Sequence, residues 1–253
     1  MNKLGAVVLA AALGLATLVS APVAAQTLGA EQKAEIESVI RDYLLANPEI
    51  LEEAFTALQQ KRQLAEQQNR NRALTDERDT LENSARQAVT GNPDGDVTLV
   101  EFFDYNCSFC RRAVADMERL MEEDPGIRMV LKEFPVLGQG SVEAAQVSIA
   151  VNELAPEKYL DFHRMMFSLN RPADGRVALA VAKEVGLDEA ELKAAMQMPV
   201  VQETVEEVYG LASALGLTGT PSYVVGDEVL FGAVGYDRLK EQINVARCGA
   251  AIC

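Results

Sequence analysis

The chain has 253 residues, 49% of them apolar and 24% charged, so it can bury a substantial core. Its formal charge of −15 argues against nucleic acid and anionic lipid as partners, because both require a basic surface. Four cysteines are too few to scaffold a chain of this length, which turns attention to their reactivity.

In chain order, Lys3 precedes an apolar run from Leu4 to Val19, and small residues Val23-Ala24-Ala25 lead into Gln26. The run falls short of the ~20 residues that a bilayer span needs, and the small-residue exit is what a signal peptidase requires. Residues 1–25 therefore read as a signal peptide, with an uncleaved anchor as the alternative. An exported chain would meet an oxidising compartment, with no membrane insertion expected after cleavage.

From Ala30 to about Ala46, Ile36, Val39, Ile40, Tyr43 and Leu44 make one helical stripe. Asn47-Pro48 breaks it, with Asn47 suited to cap a new helix and Pro48 to its first position. Ile50, Leu51, Ala54, Phe55 and Leu58 carry an apolar face onward, and neither Gly nor Pro interrupts the chain from Glu49 to Thr90. A helix reaching Ala85 would measure ~55 Å, too long to lie against one small domain. Residues 26–90 thus form either an oligomerisation stalk, whose stripe meets copies of itself, or a helix packed on the following domain.

The turn cluster Gly91-Asn92-Pro93-Asp94-Gly95-Asp96 marks the boundary to a domain over 91–253. Val97 to Phe103 reads as a buried strand, Cys107 to about Glu122 as a helix, and Arg128 to Phe134 as a second strand. A helical block covers about 139–200, and another helix covers Val201 to Leu215. Short strands at Ser222 to Val225 and Val229 to Phe231 turn through Gly226-Asp227, and Tyr236 to Arg247 is a last helix. The order describes an α/β sheet interrupted by a helical insertion.

Cys107-Ser108-Phe109-Cys110 lies between a strand and a helix. The free N–H groups and positive dipole end of a helix favour a thiolate at the first cysteine. The second cysteine, one turn on, is within reach of a mixed disulfide. Cys107 is the candidate nucleophile and Cys110 the resolving thiol; a structural disulfide or half of a metal site is the bland alternative. Glu101 sits mid-strand, where a carboxylate is costly to bury, and can tune the thiols or relay protons unless alternation puts it in solvent. Lys132 on the second strand is a candidate partner for Glu101, or a solvated lysine. His163, the only histidine, suits packing or hydrogen bonding better than catalysis. Cys248 and Cys253, beyond the last helix, fit a small disulfide that ties down the tail. A site of all four cysteines, or of Cys107 and Cys110 alone, holding a thiophilic metal is the rival.

Leu99-Val100-Glu101-Phe102-Phe103 running into Cys107-Ser108-Phe109-Cys110, with Thr218-Gly219-Thr220-Pro221 before the final hairpin, resembles the DsbA-like branch of the thioredoxin superfamily. Lys132-Glu133-Phe134-Pro135, Gly138 and Ser141, and the aromatic residues Tyr159, Phe162 and Phe167 with His163, resemble it too. The segment from Ile36 through Leu58 is similar to the N-terminal part of its ScsC-type members. The resemblance implies a thioredoxin fold with an inserted helical domain, and a cis Thr220-Pro221 bond beside Cys107 that offers backbone groups to an extended substrate. Threonine before that proline is typical of isomerase and reductase branches, and Ser108-Phe109 departs from the Pro-His of DsbA itself. The expected protein is a periplasmic disulfide isomerase or reductase acting on protein disulfides. It would be kept reduced by a membrane thiol reductase, assembled as a homotrimer through residues 26–90, and need no cofactor or metal. The alternatives are a monomeric dithiol oxidase, and a copper-binding or holdase protein of a copper-tolerance system.

Overall fold

A computed structural model describes residues 29–253; the leader expected over 1–25 lies outside them. The described residues divide into two units, the first ending at Leu58 and the second spanning Gln59–Cys253. In the first, α1 (Ala30–Ala46) buries none of its residues, and Ile36, Val39, Ile40, Tyr43, Leu51, Phe55 and Leu58 are all exposed. Asn47 closes α1 rather than capping the next helix. Its backbone N–H and its side-chain amide both donate to the Tyr43 carbonyl, at 2.9 and 2.8 Å, satisfying an otherwise orphaned acceptor. Helix α2 (Glu49–Asp76) follows Pro48 and continues into the second unit. Among the described residues no helix is long and apolar enough to cross a membrane.

The second unit reaches back past the turn cluster at 91–96. Ala73 and Leu74 of α2 and Leu81 of the short α3 (Arg78–Asn83) are buried against the sheet, and α2 stops at Asp76 instead of running to Ala85. β1 (Ala88–Gly91) is a strand that the sequence reading had given to the helical segment. It pairs antiparallel with β3 (Ile127–Glu133). β2 (Val97–Phe103) runs parallel to β3 and pairs antiparallel on its other side with β4 (Ser222–Val225), which turns into β5 (Glu228–Phe231). The sheet order is β1-β3-β2-β4-β5.

Side chains alternate between the two faces, and each face has its own cover. Val100, Phe102, Val130 and Val224 meet Leu74, Leu81 and the buried face of α9 (Pro199–Leu215). Leu99, Phe103, Met129, Leu131 and Tyr223 meet α4 (Ser108–Glu123), α10 (Tyr236–Cys248) and the four helices inserted after β3. These are α5 (Gln139–Leu154), α6 (Pro156–Ser168), α7 (Gly175–Glu184) and α8 (Glu189–Ala195). After α10, Gly249 takes a left-handed conformation (φ 77°) and the tail folds back, with Cys248 and Cys253 joined as a disulfide.

Candidate active site

Cys107 is the N-cap of α4, in extended conformation after β2, with Cys110 in the first turn of the helix. Both thiols are free; Cys107 is 6% exposed and Cys110 1%. Burial and the adjacent Cys107 drive the Cys110 thiol far up, so it stays protonated. Hydrogen bonding from the Cys110 side chain, outweighing partial burial, lowers Cys107 from 9.0 to about 5; contacts to Thr220 and to the backbone N–H groups of Cys110 and Phe109 add to this. The helix mouth thus separates the two sulfurs chemically, giving one nucleophile ionised at neutral pH and one proton-bearing partner behind it.

The Thr220-Pro221 bond is cis, and the Cys107 Sγ lies 3.1 Å from the Thr220 carbonyl oxygen. The Ser222 hydroxyl donates to the Gly219 carbonyl at 2.8 Å and holds the same turn. Next to the cysteines, Phe109 is 53% exposed and lies under the Arg112 guanidinium, 4.4 Å from the ring centre.

Glu101 is buried, on the face of β2 that meets α4 and opposite Tyr223 in the ladder, which disposes of the solvated alternative. Burial raises its carboxyl from 4.5 to about 8; the Tyr223 hydroxyl opposes the rise, and the negative Cys107 adds to it. Lys132 is a correction to the sequence reading. It pairs with Phe102, not Glu101, so alternation sends it to the other face of the sheet, where its Nζ donates to the Thr80 carbonyl at 3.2 Å. Burial brings Lys132 down to about 8. It is buried but has no part in the cysteine environment.

Sequence reasoning missed the residues that fix the loop before the cysteines. Asp104 is buried, and its carboxylate accepts from the backbone N–H of Asn106 at 2.8 Å and of Val136 and Leu137 at 2.9 Å. It ties the loop after β2 to the loop after β3. Asn106 exchanges two bonds with Ala173, at 2.8 and 3.0 Å, and donates to Ser141 Oγ at 2.9 Å, so the residue preceding Cys107 is anchored to the helical insertion. The available signal was local: Asp and Asn at a strand-to-helix turn are the residues whose side chains bond backbone two residues on.

The DSBA-like thioredoxin domain model matches residues 98–244, and the model of the copper resistance protein ScsC N-terminal domain matches 32–65. A thioredoxin-like oxidoreductase from Silicibacter pomeroyi is 42% identical, with a TM-score of 0.65 over 67% of this chain and 97% of that one. Proteus mirabilis ScsC in a transitional conformation is 32% identical, with a TM-score of 0.65 over 88% of this chain and 98% of that one. The disulfide bond formation protein D of Bacillus subtilis is 26% identical over 171 residues, 62% of this chain and 76% of that protein. The match to a Herminiimonas arsenicoxydans Na(+)/H(+) antiporter, NhaA, spans 26% of that protein's length. With the family model covering more than half of the sequence, the chain belongs to the DsbA-like thioredoxin family, in its ScsC-type branch, and is a thiol–disulfide oxidoreductase.

Proposed function

We propose that the protein is a periplasmic disulfide isomerase or reductase that acts on protein disulfides. The observation that carries the chemistry is the split between the two sulfurs, Cys107 lowered to about 5 and Cys110 driven up. The Cys107 thiolate attacks one sulfur of a substrate disulfide, forming a mixed disulfide and releasing the other substrate sulfur as a thiolate. Attack by Cys110 on Cys107 then frees the substrate as a thiolate and closes the Cys107–Cys110 disulfide, with the Cys110 proton passing to a base; buried Glu101, which acts electrostatically on Cys110, serves in its ionised form. Attack on the mixed disulfide by a different thiolate of the same substrate instead closes a new substrate disulfide, expels Cys107 as a thiolate and leaves both cysteines reduced. The Thr220-Pro221 turn holds the substrate chain beside Cys107.

The exposed stripe from Ile36 to Leu58 supports assembly through residues preceding Gln59, with a homotrimer as the expected state. Several reduced sites on one assembly raise the effective concentration of thiolates around a misfolded substrate. A membrane thiol reductase is the expected electron donor. Cys107→Ser is expected to abolish insulin reduction, and Cys110→Ser to accumulate the mixed disulfide. Full activity of Cys107→Ser refutes the assignment.

A dithiol oxidase is favoured by one observation, because stabilising the Cys107 thiolate stabilises the reduced protein and so raises its potential. Titration against glutathione decides. A potential near ~−120 mV selects the oxidase, and one near ~−200 mV or below selects the isomerase or reductase.

A further inference from the structure

The Thr218-Gly219-Thr220-Pro221 turn is entered from the end of α9 and left into β4, and one side chain of α2 touches both flanks. On the entry side, Arg70 Nε–H donates at 3.0 Å to the carbonyl of Leu215, the last residue of α9. A helix end leaves that carbonyl without an internal donor, and its partial negative charge suits a guanidinium. On the exit side, the Arg70 guanidinium carbon lies 4.9 Å from the centre of the Phe231 ring. Phe231 pairs with Ser222, the residue after Pro221, and the Gly232 N–H donates to the Pro221 carbonyl at 2.9 Å. Arg70 therefore spans the two segments between which the turn is slung.

Arg70 stands one helical turn before Leu74, on the face of α2 that packs against the sheet. Leu74 shares its apolar cluster with Leu215, Leu217 and Val229, which seats the helix beside the turn. Around Arg70 itself the packing is open. A cleft of about 390 Å³ lies between α2 and the β4–β5 hairpin, another of about 370 Å³ lies between α2 and the end of α9, and Arg70 lines both. Arg78 fixes the opposite end of the hairpin, donating to the Gly226 carbonyl and pairing with Asp227. At the end nearer Cys107 that task falls to Arg70. Lysine is a poor substitute, because a compact ammonium meets either the carbonyl or the ring, whereas a planar guanidinium offers an N–H to one while lying over the other.

We infer that Arg70 is a positioning residue for the substrate chain: it braces both flanks of the Thr220-Pro221 turn, so that the backbone groups of the turn are held ready for an extended peptide beside Cys107. The inference deepens the proposed function and rests on its reading that this turn holds the substrate. Arg70 takes no part in sulfur exchange. Its effect is on peptide binding, whichever way the electrons flow.

The test mixes the reduced full chain with a peptide disulfide, with the same peptide N-methylated on the residues flanking its cysteine, and with dithiobis(nitrobenzoate), which has no peptide backbone. The rate with the aromatic disulfide reports the Cys107 sulfur alone, so the ratio of peptide rate to aromatic rate isolates backbone binding. The parent is expected to favour the peptide over its N-methylated analogue. Arg70→Lys, at a half-buried position and expected to fold, lowers the peptide ratio about 3–10-fold through a higher KM and leaves the ratio for the N-methylated peptide unchanged. A role in stability alone lowers the melting temperature and leaves both ratios at their parental values. That result, with the parent still discriminating against N-methylation, overturns Arg70 as a positioning residue and leaves the role of the turn standing. Failure of the parent itself to discriminate overturns the reading of the turn, and the inference with it.

Discussion

Cys107 and Glu101 pull the pH dependence of stability in opposite directions. Cys107 is depressed from 9.0 to about 5, so its stabilisation of the reduced protein is complete above pH 9 and lost as pH falls through 5. The disulfide form has no such contribution. Glu101 is raised from 4.5 to about 8, so its contribution is complete below pH 4.5 and lost as pH rises through 8. Glu101→Gln removes the second effect while keeping the shape of the side chain. In that variant the melting temperature of the reduced form relative to the oxidised form is expected to climb steadily from pH 5 to pH 8. Scanning calorimetry of both redox forms checks this, and a flat difference shows that Cys107 is not the ionised thiol. The residues behind this prediction were legible because spacing exposes them: a cysteine pair at a helix mouth and an acid inside an apolar strand. Lys132 was misplaced because a one-residue change of ladder partner moves a side chain to the opposite face, and nothing in its own strand reveals the register of the next.

At the scale of elements, the geometry around Cys107 is fixed less by helix α4 than by the loop preceding it. Asp104 satisfies three backbone donors from two loops. Asp104→Ala leaves those donors without their acceptor and is expected to cost about 2–4 kcal/mol of stability. Asp104→Asn, which retains one carbonyl oxygen, recovers part of it. Equal chemical-denaturation midpoints for Asp104→Ala and the parent would remove Asp104 from this role. Long elements such as β2, α9 and α10 were readable from periodicity and turn residues. The short ones were not. β1 offers only Val89-Thr90 as a strand signal at the end of a polar stretch, and its identity comes from pairing with β3 rather than from its own propensity. Leu74 and Leu81 are isolated apolar residues in a polar stretch, and the surface that buries them together with Ala73 is supplied by distant β2, β3 and α9.

For the whole molecule, this changes where the chain can be cut. Removal through residue 90 would take β1, α3 and the buried end of α2 with it, exposing Val100, Phe102 and Val130. Removal of residues 26–58 spares every buried residue of the second unit. The chain without 26–58 is expected to be a monomer that still reduces insulin, while the chain retaining those residues forms an oligomer and refolds scrambled ribonuclease faster. Multi-angle light scattering with both assays checks the pair of outcomes. A monomer in both cases leaves the exposed stripe without the role proposed for it.

Asn106 has a consequence for anyone wishing to transplant the reactive loop. Through Ser141 and Ala173 the position before the nucleophile is wired to the inserted helices. A host thioredoxin lacking that insertion has no receptors for the Asn106 amide, and its grafted loop would lose its alignment. Loop and insertion are a single transferable module, and exchanges confined to Ser108 and Phe109 are the ones that leave the module whole.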